Sequence, residues 1–332
     1  MTLRTVFIGT GAFGVPALRA VAGSPEFDLV GVVTAPARPA GRRGEPRFSP
    51  IAEVAGELGV GVVQAPLRLR HPQAIGEVLR LRPDLVVVAD YGQIVPQALL
   101  AVRFGALNLH PSVLPRHRGA SPVAATILAG DRRTGVTLMR MDEGLDTGPI
   151  VAVADVALHG TETRPMLETF LAVLGADLLM QSLGLWVRGQ LAARPQPADG
   201  ATITRPLHRG DGRLDPARPA TTLARQVRAF QPWPGSWFQV LVGRFTVWQV
   251  EVVPAPADEG QGELRSDGGR LLLATQDGAL DLIEVQPAGG RRMSGQELLR
   301  GRPALLHERV DSPAGDLAHG PIERPVGYSS PP

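Results

Sequence analysis

Asn108 and His110 stand two positions apart, and together they suggest catalysis at a carbonyl group. Asn108 is the only asparagine among 332 residues, and the chain has no lysine, so its 34 Lys and Arg residues are all arginine. If this segment is a strand, both side chains point to one face, which places a carboxamide beside an imidazole. That pair suits a reaction that builds negative charge on a carbonyl oxygen. A turn asparagine beside an incidental histidine is the alternative.

A third group is needed, because a histidine catalyses poorly unless a neighbour sets its tautomer and charge. Asp146 is the best candidate, since it lies in a glycine-flanked loop, residues 142–148, between two predicted strands. An aspartate that only caps the turn is the alternative. His117, which lies among arginines, is expected to face solvent. No histidine pair has metal-ligand spacing, and the absence of cysteine excludes thiolate sites, so no metal is predicted.

The composition is that of a soluble globular protein with 44% hydrophobic and 20% charged residues. A chain of 332 residues is too long for one ordinary core, which favours two domains. The net charge of +2 is small, so any site for a polyanion must come from clustered arginines. We see no signal peptide and no apolar stretch of membrane-spanning length, and we expect a cytoplasmic protein with no membrane partner.

The first part of the chain alternates strands with helices. Apolar strand patterns with short connections to helical patterns predict a mostly parallel α/β sheet covered on both faces. The predicted strands are residues 5–9, 27–34, 61–63, 84–89, 106–110, 137–141 and 150–156. The predicted helices include residues 15–22, one beginning at Ser49-Pro50, 72–81 and 166–187.

The remainder of the chain has a different composition. Residues 1–190 form the predicted first domain, and 191–206, rich in Pro and Gly, the linker. Residues 207–311 contain one helical pattern, 220–230, and several short strand patterns, which predicts a small β-barrel. Its predicted strands are 237–242, 244–253, 270–274 and 280–286. The polar tail, 312–332, is expected to be disordered.

The turn Gly-Thr-Gly-Ala-Phe-Gly, residues 9–14, matches the dinucleotide-binding fingerprint between a strand and a helix. An NAD site also needs an acidic residue at the end of the second strand, and none is present there. Arg38 and Arg42 could hold a 2′-phosphate, so an NADP-binding reductase stays open. A glycine turn that lets the helix approach the sheet is the favoured interpretation.

Five segments resemble the folate-dependent formyltransferases in order and spacing. They are 108–110 (Asn-Leu-His), 112–115 (Ser-Val-Leu-Pro), 118–122 (Arg-Gly-Ala-Ser-Pro), 135–137 (Gly-Val-Thr) and 141–148 (Met-Asp-Glu-Gly-Leu-Asp-Thr-Gly). Further segments resemble the branch that formylates methionine on initiator tRNA: 38–42, 91–96, 228–235, 292–295 and 300–302. The resemblance covers residues 4 to about 305.

The resemblance implies a Rossmann-like formyltransferase domain with a mostly parallel sheet, followed by an OB-like β-barrel that binds tRNA. It implies transfer of the formyl group of 10-formyltetrahydrofolate to the α-amino group of initiator Met-tRNA, with no metal, by a monomer. Asn108, His110 and Asp146 correspond to the family's catalytic residues.

The other site residues follow from the same resemblance, position by position. The folate contacts are Ser112, Val113, Leu114, Pro115, Tyr91, Gly92, Gln93 and Ile94. The wall on the methionine side is formed by Gly11 and Phe13. The tRNA contacts are Arg38, Arg42, Arg43 and Arg47.

Three departures from the family pattern bear on specificity. Gly11 and Gly14 replace the usual Pro and Ala of the first turn, which predicts a looser methionine-side wall. Pro111 stands where a small residue is usual. The arginine loop, residues 41–47, lacks the lysine pair that is common there and contains Glu45. The alternatives are a formyltetrahydrofolate hydrolase, a formyltransferase for a sugar-nucleotide amine, the NADP-binding reductase, and a catalytically inactive nucleic-acid-binding module.

Overall fold

The computed structural model describes residues 2–40, 45–64, 68–254, 260–310 and 320–326. Its helices are α1 Val15–Ala22, α2 Pro50–Glu57, α3 Pro72–Arg80, α4 Gln97–Leu100, α5 Pro122–Ala129, α6 Arg164–Val187, α7 Ala220–Ala229 and α8 Gly295–Gly301. Its strands are β1 Leu3–Gly9, β2 Phe27–Thr34, β3 Arg38–Ala40, β4 Glu45–Arg47, β5 Val62–Gln64, β6 Leu85–Ala89, β7 Ala106–His110, β8 Arg118–Gly119, β9 Arg133–Arg140, β10 Ile150–Ala157, β11 Thr202–Thr204, β12 Ser236–Val240, β13 Gly243–Val253, β14 Leu264–Asp267, β15 Arg270–Ala274, β16 Ala279–Pro287, β17 Met293–Ser294 and β18 Glu323–Pro325.

A seven-stranded sheet organises the N-terminal part, in the order β10-β9-β7-β6-β1-β2-β5. The five strands from β7 to β5 are parallel, while β9 is antiparallel to β7 and β10 to β9. Every residue of β6 and β7 is buried, because helices cover both faces. The predicted mostly parallel α/β sheet is therefore confirmed, and the predicted elements match the observed ones to within a few residues.

The two faces of this sheet belong to two separate cores. Phe7, Val87 and Leu107 pack in one core, while Val6 and Val88 pack in the other. Side chains alternate between the faces along each strand, so Asn108 and His110 point away from the core that holds Leu107. The end of β7 therefore carries its polar residues on a single face.

The long helix α6 is a core helix of this part of the chain. By length and composition it is apolar enough to cross a membrane, so the expectation that no apolar stretch reaches that length is wrong. However, Leu167, Leu171, Leu179 and Leu183 of α6 are buried in the first core, and the helix packs against α1, β9 and β10. The buried apolar residues of α6 therefore stabilise this fold, while Met166, Phe170 and Val173 are exposed.

The C-terminal part is built on antiparallel strands, in the order β12-β13-β16-β15-β14, with β17 paired to β16. Helix α7 packs against β13 and closes a core that includes Phe238 and Phe245. The predicted strand-rich domain with one preceding helix is confirmed. Among the described residues no pairing joins β12 to β14, so closure into an OB-like barrel stays a prediction.

A third, small sheet joins three distant parts of the chain in the order β18-β11-β8. Strand β11 lies in the predicted linker, and β18 lies within residues 312–332. The expectation of a disordered tail is therefore wrong for residues 320–326, which form a paired strand. Composition misled here, because two extended strands can pair through their backbones whatever their hydrophobicity.

We predict that Phe238→Ala lowers the free energy of unfolding by about 3–5 kcal/mol. Phe238 is fully buried and its ring stacks on Phe245 with 5.3 Å between centroids, so the substitution leaves a cavity. Chemical denaturation followed by circular dichroism measures the change. Leu241→Ala is the control, because that side chain is 93% exposed and its loss should cost close to nothing. Equal effects of the two substitutions would contradict the assigned core.

Candidate active site

Strand β7 presents Asn108 and His110 at the carboxyl edge of the sheet. In the paired register Asn108 lies beside Val88 of β6, and His110 lies beside Thr137 of β9. Both polar residues are almost fully buried, at 8% and 4% exposure. Neighbouring strands on both sides therefore fix the backbone of this pair.

Asp146 completes a three-residue cluster from the loop between β9 and β10. Asn108 Nδ2 donates to Asp146 Oδ1 at 3.5 Å, and His110 Nδ1 lies 3.6 Å from Asp146 Oδ2. The Asp146 backbone has a φ of 52°, a left-handed conformation that is uncommon outside glycine. The structure thus brings together the three residues that the sequence suggested for catalysis, and these distances leave the polar atoms near one point.

Backbone groups and a linker residue hold Asp146 in place. Gly119 N donates to Asp146 Oδ2 at 2.8 Å. Gln196 Nε2 donates to the carbonyls of Asp146 and Gly148, at 2.8 Å each, and Gln196 Oε1 accepts from Arg118. The sequence analysis missed Gln196, because a glutamine between two prolines in a linker carries no signal of a contact 50 residues away.

The imidazole of His110 is fixed from its other side by a backbone carbonyl. His110 Nε2 lies 2.8 Å from the carbonyl oxygen of His117. A carbonyl oxygen can only accept, so Nε2 carries a proton. Nδ1 is therefore the nitrogen that faces Asp146, and protonating it would give an imidazolium beside a carboxylate.

His117 is not solvent-facing, as the sequence suggested, but 2% exposed. Its Nε2 lies 2.7 Å from Asp131 Oδ2, and its Nδ1 lies 2.8 Å from Glu323 Oε1. The prediction was wrong because it considered only the arginines next to His117 in sequence. The two carboxylates that pair with the buried ring come from distant segments, Asp131 after α5 and Glu323 in β18.

The predicted folate segment, residues 112–115, is anchored by its own polar groups. Ser112 is fully buried and its hydroxyl donates to the carbonyl of Arg116 at 2.7 Å. Thr137 Oγ1 donates to the carbonyl of Ser112 and accepts from Leu114 N. The Ser112 hydroxyl is thus already engaged, so a folate contact by this residue remains a prediction.

The second predicted folate segment, residues 91–94, is more open. Ile94 is 71% exposed, and Gln93 Oε1 accepts from Leu69 N at 2.8 Å. The hydroxyl of Tyr91 is buried with no hydrogen-bond partner among the described residues, and burial raises the pKa of Tyr91 to about 12. Tyr91 is therefore a neutral, buried hydroxyl whose hydrogen-bonding capacity is not used by the described residues.

The glycine-rich turn after β1 lies close to the end of the neighbouring strand, β6. A Cβ at Gly9 would lie 2.6 Å from the carbonyl oxygen of Ala89, which supports the interpretation that this glycine allows close approach. Phe13 is buried in the first core, so little of its ring faces the cleft. Its role as a methionine-side wall remains a prediction.

Gly11 makes room for Asp90, a residue that the sequence analysis missed. A Cβ at Gly11 would lie only 1.6 Å from Asp90 Oδ2. Asp90 has a φ of 51°, and its carbonyl accepts from Thr10 N at 3.0 Å. Asp90 as a whole residue is exposed, yet its carboxyl group is surrounded by enough protein for burial to raise its pKa. The departure from the family pattern at Gly11 thus places a carboxyl group where a side chain is usual.

The arginine loop is partly described. Arg38 in β3 lies directly opposite Arg47 in β4, and both are exposed. Arg42 and Arg43 lie outside the described residues. Among the described residues no group of three His, Asp or Glu side chains is placed to hold a metal ion.

Comparisons with known proteins identify the family of this chain. A family model described as formyl transferase matches residues 3–183, and one described as formyl transferase, C-terminal domain, matches residues 206–303. A methionyl-tRNA formyltransferase of Symbiobacterium thermophilum is 41% identical over 319 residues, which cover 94% of this chain and 96% of that protein. This chain belongs to the methionyl-tRNA formyltransferase family. The methionyl-tRNA formyltransferase of Paracoccus denitrificans is 40% identical and covers 93% of this chain and 100% of that protein.

A solved structure shows the same fold at much lower identity. It is an N-formyltransferase of Helicobacter canadensis in complex with folinic acid and dTDP-3-aminofucose. The two structures superpose with a TM-score of 0.62 at 14% identity, over 85% of this chain and 99% of that one. The family models and the relatives of about 40% identity confirm the resemblance inferred from the motifs, and the solved structure shows the same fold.

We predict that Gly11→Ala lowers the free energy of unfolding by about 1 kcal/mol, because the new methyl group displaces the Asp90 carboxyl group. The same substitution in an Asp90→Ala background should cost much less, since the space is then free. Denaturation of the four proteins of this double-mutant cycle measures the coupling. Equal costs in both backgrounds would mean that Asp90 does not occupy the space beside Gly11.

Proposed function

We propose that this chain transfers the formyl group of 10-formyltetrahydrofolate to the α-amino group of methionine on initiator Met-tRNA. The observation that carries the proposal is the convergence of Asn108 and His110 on Asp146 at the carboxyl edge of the sheet. Asn108 Nδ2 lies 3.5 Å from Asp146 Oδ1, and His110 Nδ1 lies 3.6 Å from Asp146 Oδ2. Relatives of about 40% identity over nearly the whole chain bear the name of this activity. A cytoplasmic location and a monomeric state remain predictions from sequence.

The chemistry needs a donor for an oxyanion and a route for one proton. The amine nitrogen attacks the formyl carbon, and a tetrahedral oxyanion forms. Its collapse breaks the bond from carbon to the folate N10, which leaves with a proton in place of the formyl group, while the amine loses one. Asn108 Nδ2 and Nδ1 of protonated His110 are the donors for the oxyanion.

Asp146 has two roles in this proposal. As a carboxylate whose Oδ2 lies 3.6 Å from Nδ1, it orients the imidazole of His110. It also accepts the proton that leaves the attacking amine and passes it on toward N10. Its hydrogen bond from Gly119 N keeps one oxygen oriented while the other faces Asn108.

The Asp90 carboxyl group bears on the approach of the amine. A free α-amino group has a pKa of about 8, so much of the substrate arrives as ammonium at neutral pH. Asp90 beside Gly11 places a carboxyl group on the predicted methionine side of the site. The neighbouring Glu168 pairs with Arg164 at 3.6 Å, so the charge on this side comes from Asp90. We propose that this charge attracts the ammonium form of the substrate.

Contact with tRNA is supported by the β3–β4 hairpin. Arg38 and Arg47 are a like-charged pair directly opposite each other, an arrangement that destabilises an isolated hairpin. A phosphate between the two guanidinium groups would relieve this repulsion and accept hydrogen bonds from both. Arg42 and Arg43, between the two strands in sequence, would add to the same positive charge.

The C-terminal domain offers a second basic surface. The guanidinium of Arg292 lies 3.6 Å from the centre of the Trp248 ring, and that of Arg244 lies 4.2 Å from the Trp237 ring. Stacking positions both guanidinium groups over aromatic rings, and Arg292 also pairs with Glu284 at 3.6 Å. Guanidinium groups placed in this way can bind phosphates. We propose that tRNA bridges the hairpin and this surface.

We predict that Asn108→Ala lowers kcat for formylation of Met-tRNA by about 10²–10³-fold, because one oxyanion donor is lost. The affinity for Met-tRNA should change little. Single-turnover formylation and tRNA binding are measured on the same preparations. Gln181→Ala, which removes a carboxamide from an exposed site on α6, is the control and should behave as wild type. A near-normal rate for Asn108→Ala would refute the oxyanion role.

We predict that Arg47→Ala weakens tRNA binding and reduces the slope of log K against log salt concentration by about 1, because one phosphate contact is lost. Folate binding should be unaffected. Arg80→Ala is the control, since Arg80 is exposed at the end of α3, away from the carboxyl edge of the sheet. An unchanged salt slope for Arg47→Ala would exclude the hairpin from the tRNA interface.

A further inference from the structure

The C-terminal segment 320–326 docks two strands away from the catalytic cluster. In the small sheet Glu323 of β18 pairs with Thr204 of β11, and Thr204 pairs in turn with Gly119 of β8. Gly119 is the residue whose N–H holds the carboxylate of Asp146. A Cβ at Gly119 would lie 2.4 Å from the carbonyl of Thr204, so β8 and β11 are in close contact.

Glu323 also reaches the buried imidazole of His117. Its Oε1 lies 2.8 Å from His117 Nδ1 in an ion-pair contact, although the two groups are not aligned as a regular hydrogen bond. On the opposite side of the ring, Nε2 lies 2.7 Å from Asp131 Oδ2. The His117 side chain is 3% exposed, and those of Asp131 and Glu323 are 19% and 21% exposed.

The charges around His117 favour its imidazolium form. Burial alone lowers the pKa of His117, but its close contacts with Asp131 and Glu323 and the charges of these two carboxylates outweigh burial and raise it. Arg116 is the cation that faces this group, with its Nε 3.1 Å from His117 Nε2 and a double hydrogen bond to Asp131. Burial raises the pKa of Asp131 and of Glu323, yet the contacts with His117 lower both overall.

The backbone of His117 connects the contacts of its side chain to the active site. His117 has a φ of 58°, a left-handed conformation that persists in a non-glycine residue only where its surroundings hold it. Its N–H donates to Thr202 Oγ1 at 2.8 Å, and its carbonyl accepts from His110 Nε2. Side chain, N–H and carbonyl are thus each fixed, and the carbonyl decides which ring nitrogen of His110 is protonated.

We propose that residues 320–326 are a positioning element of the active site, in which Glu323 holds His117 and the His117 carbonyl accepts from His110 Nε2, so that Nδ1 faces Asp146 as formyl transfer requires. The inference rests on the proposed function for its catalytic consequence. Glu323 and His117 touch no reacting atom in this account, so they act through His110 and are positioning residues.

The first test compares Glu323→Gln with Arg324→Gln. Glu323→Gln keeps the shape of the side chain and removes its charge, so kcat should fall about tenfold while KM for both substrates stays within about twofold. Arg324 is the next residue of β18 and is exposed, so Arg324→Gln should leave both constants unchanged. Wild-type kinetics for Glu323→Gln would overturn the proposal.

The pH dependence of kcat distinguishes a positioning role of the segment from a role that only stabilises the fold. The raised pKa of His117 contributes stability that is complete below about pH 6.5 and is lost as the pH rises through the folded-state value. The lowered pKa values of Asp131 and Glu323 contribute stability that is lost only at acidic pH, below their ordinary values near 4. If positioning depends on the charged form of His117, kcat should fall as the pH rises through the pKa of His117. Glu323→Gln removes one of the charges that raise this pKa, so in the variant kcat should fall at a lower pH. If the segment only stabilises the fold, Glu323→Gln should lower the melting temperature and leave the pH profile of kcat unchanged.

The second test removes the segment. A chain that ends at residue 319 should lose kcat at temperatures well below its melting transition, whereas a chain that ends at residue 326 should behave as wild type. A synthetic peptide of residues 320–326, added to the shortened chain, should restore part of the rate. Full activity of the chain that ends at 319 would overturn the proposal.

A readout independent of catalysis keeps the inference separate from the proposed function. In protein labelled with ¹⁵N at histidine, the ring nitrogens of His110 report which one carries the proton. Wild type should show a proton on Nε2 whatever the state of Nδ1, and Glu323→Gln should show a population in which Nε2 has lost this proton. If no variant transfers formyl groups but this difference is present, the proposed function fails and the positioning survives. An identical His110 spectrum in both proteins refutes the positioning.

Discussion

The hydrogen bond from His110 Nε2 to the carbonyl of His117 is the contact on which the rest of the site depends. It fixes the imidazole and leaves Nδ1 facing Asp146. Without it the ring could rotate or exchange tautomers, and the donor beside Asn108 would be lost. Both partners of this bond are almost fully buried, where a misplaced polar group is costly and a satisfied one is rigid.

Two different sheets meet at this bond. The seven-stranded sheet supplies Asn108 and His110 from a strand that is hydrogen-bonded on both sides, a rigid source of catalytic groups. The small sheet supplies the His117 carbonyl and the Gly119 N–H from β8, which is held by the linker strand β11 and by the C-terminal strand β18. Segments far apart in sequence therefore converge on one imidazole and one carboxylate, and the linker joins the domains while it shapes the site.

The sequence predicted the elements whose evidence is local. Buried strands such as β6 are continuous apolar runs. The placement of Asn108 and His110 on one face of β7 followed from their spacing in a strand. Asp146 was found because its loop is flanked by glycines and lies between two strands. The resemblance to the formyltransferases then supplied the reaction, and family matches across nearly the whole chain agree with it.

What the sequence did not predict depends on contacts between distant residues. Glu323 lies in a polar, proline-rich tail, a composition typical of disorder, and its strand needs only the backbone of β11 as partner. His117 lies between two arginines and resembles a solvated residue until two carboxylates from elsewhere surround it. Asp90 and Gln196 carry no local signal, because their roles follow from a missing Cβ at Gly11 and from carbonyls in another loop.

The most direct test of the account is the coupling between consumption of the folate and modification of the tRNA. The purified full chain is given 10-formyltetrahydrofolate with or without initiator Met-tRNA, and both tetrahydrofolate and formyl-Met-tRNA are quantified. Formyl transfer predicts equal amounts of the two products and almost no tetrahydrofolate when the tRNA is omitted. Equal release of tetrahydrofolate without the tRNA would identify a hydrolase, and no release under either condition would contradict the catalytic role of the Asn108–His110–Asp146 cluster.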